Sequence, residues 1–287
     1  SSGDEVTDGA ADASADAAEP PAIGLPPTET AEEASLRQEA SSLEHLLNHR
    51  KKKPYCHACQ MCKMKDTPAR HVDADHKTSK FGDLITMDHV NCRNTQVWGL
   101  DGEEVGLMIL DVHTGFVHLY PSNSNTTAEK TMAIKHFVWR SPVGKLYCDN
   151  ALELKAASRA IGLLPDHSQP AHPKTNGIIE RMNQTIEREI IAVLYQAGLP
   201  PCFWSVACEC VCMLRNTQFV NGISPWVARH GVPFVGKRIP FGAKVAYLPV
   251  STQLTQNKWE SKARIGVFAG YRVASGITWN HEYLVWD

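Results

Sequence analysis

Apolar runs separated by turn-forming residues predict a group of β-strands from residue 81 onward. The runs are "LITMDHV" (84–90), "EVGLMILDVHTGFVHLYP" (104–121) and "VGKLYCDN" (143–150). The second run is interrupted around His113 to Gly115, which predicts a hairpin between two strands.

Helical patterns follow the strands. In "TAEKTMAIKHFVWR" (127–140) apolar residues recur near helical spacing behind threonines that can cap a helix, and further helices are predicted at 151–162, 178–197 and 202–220. Strands first, with helices interleaved afterwards, indicate an α/β layer around a mixed sheet.

The C-terminal part has a different pattern. Beyond a boundary near residue 238, the short apolar runs "KVAYLPV", "ARIGVFAGYRV" and "EYLVWD" alternate with glycine and proline. This pattern predicts a small β-barrel after the α/β layer.

Composition narrows the class of protein. Of 287 residues 43% are hydrophobic, enough for one core with small satellite modules. No apolar run approaches the roughly 18–20 residues of a spanning helix, and the N-terminus lacks the basic and apolar regions of a signal peptide. We therefore expect no membrane partner, and a location in the cytosol or nucleus.

Charge is distributed unevenly. Ten acidic residues against the single Arg37 give residues 1–40 a formal charge of −9, so the whole-chain charge of −2 leaves +7 for residues 41–287. An acidic segment rich in Ala, Pro and Ser is typical of a disordered tail, and we predict one over residues 1–40. The mildly basic remainder permits a polyanionic partner.

Three carboxylates mark the ends of predicted elements: Asp88 and Asp149 end strands, and Glu180 lies in the first turn of a helix. Singly, such aspartates are often turn formers, as we expect for Asp111, and the helix dipole favours an acidic first turn. Together they can converge at one sheet edge as ligands of Mg²⁺ or Mn²⁺. Two such ions suit phosphoryl transfer, because they activate the attacking oxygen and stabilise the leaving one.

These residues lie in motifs that resemble a known family. "GDLITMDHV", "LYCDNALEL" and "AHPKTNGIIERMNQTI" are similar to the three blocks of a retroviral-type integrase core, in particular that of copia-type LTR retrotransposons. The resemblance implies an RNase H-like core over residues 76–237 in which the three carboxylates are the catalytic metal ligands. It also implies that DNA is approached by Lys174, Asn176, Gly177, Arg181 and Asn183.

The chain departs from the family pattern at one place. Only 30 residues separate Asp149 from Glu180, fewer than is typical of the family, and Ala151 replaces a usual glycine. The shortening falls in the helix and strand after Asn150. It leaves two interpretations open, a compact variant or an inactive core.

A second metal site is predicted from "HLLNHRKKKPYCHAC" (45–59). Histidines at i and i+4 face the same side of a helix and a Cys-x2-Cys turn presents two thiolates, so His45, His49, Cys56 and Cys59 can complete a tetrahedral Zn²⁺ site. His57 and Cys62 are alternative ligands. The order resembles the zinc-binding N-terminal region of integrases, with a shorter gap, and we predict a zinc module over residues 41–75.

Basic residues surround this cluster. They are either a solvated face or a phosphate-binding surface, for which Lys52 and Lys53 are the candidates, with an affinity that falls as salt rises.

Farther along, "IPFGAKVAYLP" and "WESKARIGVFAGYRV" resemble the SH3-like barrel that follows the copia-type core, which we predict over residues 238–287.

The sequence therefore predicts a retrotransposon integrase that processes the 3′ ends of double-stranded DNA and joins them to target DNA. The resemblance implies a homo-oligomer, since two DNA ends must be joined, and a nuclear location after synthesis in the cytoplasm. Two alternatives stay open: a catalytically inactive or domesticated DNA-binding remnant, and an RNase H-like nuclease. The modules predicted before and after the core disfavour the nuclease.

Overall fold

The centre of the fold is a mixed five-stranded sheet, seen in a computed structural model that describes residues 30–63, 78–91, 98–149, 151–167, 176–249, 259 and 261–287. Its strands are β1 (Ile85–Asn91), β2 (Val105–Asp111), β3 (Val117–Ser122), β4 (Leu146–Cys148) and β5 (Pro165–His167). They lie in the order β3-β2-β1-β4-β5, antiparallel from β3 to β1 and parallel from β1 to β5. This arrangement is RNase H-like and confirms the predicted α/β core.

Helices cover both faces of the sheet. They are α4 (Thr127–Val138), α5 (Leu152–Ala160), α6 (Asn176–Ala197) and α7 (Trp204–Thr217), followed by the short α8 (Pro225–His230). Alternate residues of β1 contact opposite layers: Asp88 is bonded to Asn183 of α6, whereas His89 lies 3.8 Å from Glu153 of α5. The four predicted helices are confirmed, and Thr126 caps α4 by accepting a hydrogen bond from the Glu129 N–H.

Three short helices precede the sheet: α1 (Ala31–Ala40), α2 (Leu43–Leu46) and α3 (His57–Cys62). The prediction of a disordered tail to residue 40 is wrong for residues 31–40. There Thr30 and Glu33 form a reciprocal capping box, and Ala40 is buried in a cluster with Cys56 and Cys59. Residues 1–29 of that predicted tail, and residues 64–75 of the predicted zinc module, lie outside the described residues.

The C-terminal part is a three-stranded antiparallel sheet in the described ranges 238–249 and 261–287. Its strands are β6 (Lys244–Tyr247), β7 (Arg264–Ala274) and β8 (Thr278–Trp286), in that order. β7 packs against α7, and its Gly270 approaches Cys210 so closely that an added Cβ would lie 3.4 Å from the Cys210 Cβ. The three predicted strands are confirmed, whereas closure into an SH3-like barrel stays a prediction.

None of the described helices has both the length and the apolar character that crossing a bilayer requires.

Candidate metal centres

The parallel pairing of β1 with β4 brings Asp88 and Asp149 to one edge of the sheet. Met87 pairs with Cys148, and each aspartate is the next residue along its strand. Residues at the same level of neighbouring parallel strands lie about 4.8 Å apart and project from the same face. The two carboxylates therefore leave the sheet at adjacent points.

Glu180 reaches the same edge from α6, which packs against β1. Asn183 is one helical turn beyond it, and its Nδ2 donates a 3.0 Å hydrogen bond to Asp88 Oδ2. Because residues at i and i+3 lie on one helix face, this bond places Glu180 over β1 near Asp88 as well. Two sequence predictions are corrected here: Asp88 lies in the middle of β1 and not at its end, and Glu180 lies just beyond the first turn of α6. The structure thus brings together the three carboxylates that the sequence singled out.

The surroundings of Asp88 hold its carboxylate in one orientation. Its Oδ1 accepts a 2.9 Å hydrogen bond from the His89 backbone N–H, and its Oδ2 accepts the bond from Asn183. Asp149 Oδ1 accepts a 3.0 Å bond from the Ala151 N–H. Both aspartates are oriented by groups that do not compete for the remaining oxygen lone pairs.

The charges of the other two carboxylates affect the pKa of Asp88. Burial is the main cause that raises the pKa of Asp88 to about 6, and the charges of Asp149 and Glu180 raise it further, against the two hydrogen bonds that lower it. Close carboxylates repel one another when ionised, and a divalent cation relieves that repulsion while taking oxygen ligands. The donor set therefore fits Mg²⁺ or Mn²⁺.

Replacing Asp88 by asparagine is expected to stabilise the protein in the absence of Mg²⁺ and Mn²⁺, but only at neutral pH. Because the folded-state pKa is raised, the contribution of Asp88 to stability is present below its unfolded pKa near 4 and is lost as the pH rises through about 6. An uncharged residue avoids this loss. The expected gain at pH 7.5 is on the order of 1–2 kcal/mol after discounting for partial exposure, with little gain at pH 4.

Urea unfolding of the metal-free protein at the two pH values measures this difference. Asp101→Asn, in an exposed turn, is the matched control. The raised pKa of Asp88 would be contradicted by an Asp88→Asn variant that is less stable than wild type at pH 7.5, or that changes stability equally at both pH values.

The residues predicted to approach DNA divide into several groups. Arg181 is exposed and Gly177 half-buried near the start of α6. Asn183, by contrast, is buried and bonded to Asp88, so the structure gives it a positioning role in place of the predicted DNA contact. Asn176 is the first residue of α6 and its side chain is not described; Lys174 lies outside the described residues.

The two basic candidates near the cysteines also differ from each other. Lys52 is exposed, as the predicted phosphate contact requires. Lys53 is half-buried and forms an ion pair with Glu39 at the end of α1. A DNA phosphate would therefore have to compete with Glu39 for Lys53, whereas Lys52 is accessible.

The His/Cys set is compact. His45, His49, Cys56 and Cys59 are all buried, and their ligand atoms lie within 4.8 Å of one another. The His49 Nδ1 lies 3.2 Å from His45 Nε2, 3.4 Å from Cys56 Sγ and 3.6 Å from Cys59 Sγ. Zn–N bonds of about 2.0 Å and Zn–S bonds of about 2.3 Å hold tetrahedral ligands about 3.3–3.8 Å apart, so this set fits zinc.

Local structure explains how these four residues meet. His45 lies in α2, and the His49 N–H donates to the His45 carbonyl (2.8 Å). His49 itself has a φ of 54° and lies beyond the end of α2, so the two histidines are not on one continuous helix as predicted. Cys56 directly precedes α3, and Cys59 lies within it. Burial is the first cause that lowers the pKa of His45 and His49 to about 4, so both imidazoles are neutral at pH 7, as metal ligation requires.

The alternative ligands lie outside this set. His57 is exposed and its Nδ1 is 3.1 Å from the Tyr195 hydroxyl, and Cys62 is half-buried. In the parts of the chain that the structure describes, the four-residue set is the one group of His, Cys, Asp and Glu whose ligand atoms lie close enough together to hold a metal ion. The carboxylate set is therefore more open than the His/Cys set.

Sequence reasoning missed Gln196, which contacts His49 from α6, and the buried ion pair between Glu189 and Arg215 (2.6 Å). A signal was available for both. Glu189, Ala192 and Gln196 follow one another at helical spacing on α6, apart from its apolar stripe, which indicates a second packed face.

The known proteins that resemble this chain include two Pol polyproteins. No protein-family profile matches the chain. It is 26% identical over 174 residues (57% of its length) to the Pro-Pol polyprotein of Feline foamy virus, and 35% identical over 77 residues (27%) to the Retrovirus-related Pol polyprotein from transposon TNT 1-94 of Nicotiana tabacum. The matches span only 14% and 6% of those polyproteins.

Among solved structures, the catalytic core domain of BIV integrase is similar at a TM-score of 0.39 and 18% identity, covering 50% of this chain and 91% of that one. The chain is therefore similar to segments of retroviral and retrotransposon Pol polyproteins, and its RNase H-like core is defined by its own strand order.

Proposed function

We propose that the chain is the integrase region of a copia-type LTR retrotransposon polyprotein, or of a gene derived from one. It would process the 3′ ends of the element's DNA and then join them to target DNA. The observation that carries this proposal is the convergence of Asp88, Asp149 and Glu180 at one sheet edge, where their charges act on one another. The similarity to Pol polyproteins supports it.

The three carboxylates are proposed to hold Mg²⁺ or Mn²⁺. Metal ions bound there would supply Lewis-acid activation of the attacking oxygen and stabilisation of the leaving oxygen. The chain's own part is to position the ligands. Asn183 and the His89 N–H fix the Asp88 carboxylate. Glu180 is the fifth residue of α6, so the N-terminal part of this helix presents it.

Double-stranded DNA is the proposed partner. Arg181 and Gly177 lie beside Glu180 at the start of α6, after the segment that contains Lys174, so a DNA end at the carboxylates would meet them. Lys52 is a further phosphate contact, with affinity that decreases as salt is raised. Because two DNA ends must be joined in one event, we propose that the protein acts as a homo-oligomer, in the nucleus.

His45, His49, Cys56 and Cys59 are proposed to bind a structural zinc ion. The helices that carry them are 4 and 6 residues long, too short to be stable alone. Zinc would supply the free energy that such a small module lacks. We propose in addition that the C-terminal sheet belongs to an SH3-like barrel.

A catalytically inactive DNA-binding remnant is the second candidate. The short interval of 30 residues between Asp149 and Glu180 favours it, as does the openness of the carboxylate set relative to the His/Cys set. In that case the fold and the basic residues would be retained without a working metal pair.

A strand-transfer assay distinguishes the two candidates. Labelled DNA ends are incubated with zinc-loaded protein, target DNA and Mn²⁺, and joined product is measured together with DNA binding at several salt concentrations. Joined product is expected. Salt-sensitive binding without product would favour the remnant, and no DNA binding at any salt concentration would contradict both.

A further inference from the structure

The C-terminal half of helix α6 contacts the His/Cys module, which is the segment from α2 to α3 that contains the four proposed zinc ligands. The contact is a strip of α6 formed by Glu189, Ala192 and Gln196. Ala192 is fully buried in a cluster with Cys56, Ala58 and Cys59. One turn before it, the buried Glu189 is bonded to Arg215 of α7. The helix that carries Glu180 near its N-terminus thus also forms one wall of the module.

Gln196, the last member of this strip, contacts a proposed zinc ligand directly. Its Oε1 lies 2.8 Å from His49 Nε2, and its Nε2 is 3.4 Å from the Leu46 carbonyl oxygen. The carbonyl can only accept a hydrogen bond, so the amide nitrogen of Gln196 faces it and the amide oxygen faces His49. The His49 Nε2 must then carry the proton and donate it to Gln196.

This hydrogen bond determines which nitrogen of His49 is free. A neutral imidazole with a proton on Nε2 has its lone pair on Nδ1. The Nδ1 is the atom that lies among His45 Nε2, Cys56 Sγ and Cys59 Sγ. The bond to Gln196 therefore selects the tautomer that can bind zinc and fixes the direction of the ring.

We propose that Gln196 is a positioning residue of the zinc centre, supplied by the core helix α6. Residues that accept a hydrogen bond from a metal-ligating histidine fix its tautomer and increase its basicity. Zinc affinity then depends on docking of the module against α6, and zinc in turn stabilises that docking. The proposal rests on the zinc part of the proposed function and is independent of strand transfer.

Gln218 provides a matched control. It is also a glutamine at the contact between module and core, and its Nε2 donates a 3.0 Å hydrogen bond to the Glu44 carbonyl oxygen of α2. This bond goes to the backbone of α2 and not to one of the four proposed zinc ligands. A loss of docking alone would therefore affect Gln218 variants as much as Gln196 variants.

The test is the zinc affinity of the full chain, measured without DNA by competition with a chromophoric chelator at pH 7.5. Gln196→Ala is expected to lower the affinity about 10–100-fold, and Gln218→Ala to leave it close to wild type. Gln196→Glu retains an acceptor for the His49 N–H, so it is expected to restore the wild-type affinity or exceed it. Gln196 is itself exposed, so its substitutions should leave the fold intact, whereas Gln218 is buried. Circular dichroism at saturating zinc checks the fold of all three variants.

Three results would overturn the role of Gln196: an unchanged affinity in Gln196→Ala, an equal loss in Gln218→Ala, or failure of Gln196→Glu to restore binding. A wild-type protein that binds no zinc would overturn the zinc centre itself, and this role with it. None of these four results would bear on the carboxylate site.

Discussion

Replacing Glu180 by glutamine is expected to reduce strand transfer at least about a thousandfold while leaving DNA affinity close to that of wild type. Glutamine has nearly the same shape, so the N-terminal part of α6 should be unchanged. What it lacks is the negative charge that completes the carboxylate set, and a neutral amide is a poor ligand for a divalent cation in a site built from carboxylates. A loss of this size is typical of residues that act as one catalytic unit.

Glu187→Gln is the matched control for this variant. Glu187 lies on the same helix, two turns beyond Glu180, and the substitution removes the same charge from an exposed position. It should leave strand transfer intact. Equal activity of Glu180→Gln and wild type, or a comparable loss in Glu187→Gln, would show that Glu180 is not a metal ligand.

Replacing Cys59 by serine is expected to remove the response of the protein to zinc. In wild type, free zinc at a hundred times its dissociation constant should stabilise the fold by about 2.7 kcal/mol, and a chelator should reverse this. Serine cannot replace the thiolate, and the fully buried Cys59 is also the centre of the cluster that joins α1 and α3 to α6. The melting temperature of Cys59→Ser should therefore be lower than that of wild type and insensitive to zinc and chelator.

Cys62→Ser tests the alternative ligand. Cys62 is in the same helix, but it is half-buried and outside the compact set. Thermal unfolding with zinc and with chelator should give wild-type behaviour for Cys62→Ser. The reverse result, a zinc response lost in Cys62→Ser and kept in Cys59→Ser, would reassign the ligand.

The core of the fold follows from the sequence because its elements are long or strongly patterned. β2 is an almost unbroken apolar run, and α6 extends over 22 residues, so local pattern is sufficient to define each. Asp111 is likewise understood from its position after a strand. Its carboxylate accepts hydrogen bonds from the Gly82 and Thr114 N–H groups, as the expected turn role requires.

Short helices are harder to predict, because part of what stabilises them is distant in sequence. α1 lies in a segment whose overall composition is that of a disordered chain, and its helical form comes from the capping box at Thr30 and the burial of Ala40. α8 is only 6 residues long and is held by Arg229, whose guanidinium lies 4.1 Å from the Phe81 ring centroid. The burial of Ala40 and the contact of Arg229 with Phe81 lie outside a window of local sequence, whereas the capping box is a local signal that the composition of the segment outweighed.

The candidate sites divide in the same way. Residue type and spacing pointed to the carboxylates and to the four proposed zinc ligands, because side chains that bind metals can be recognised by residue type. The residues that orient them were missed or given another role. Asn183 is 95 positions from Asp88, and Gln196 is 147 positions from His49, so only the fold shows that these side chains meet.

Binding of Mn²⁺ to the zinc-loaded protein, followed by electron paramagnetic resonance at pH 7.5, tests most directly whether Asp88, Asp149 and Glu180 form one metal site. Saturable binding is predicted for wild type, with loss of that binding in Glu180→Gln and in Asp149→Asn and its retention in Glu187→Gln. A wild-type protein that binds no more Mn²⁺ than Glu180→Gln or Asp149→Asn would contradict the carboxylate centre.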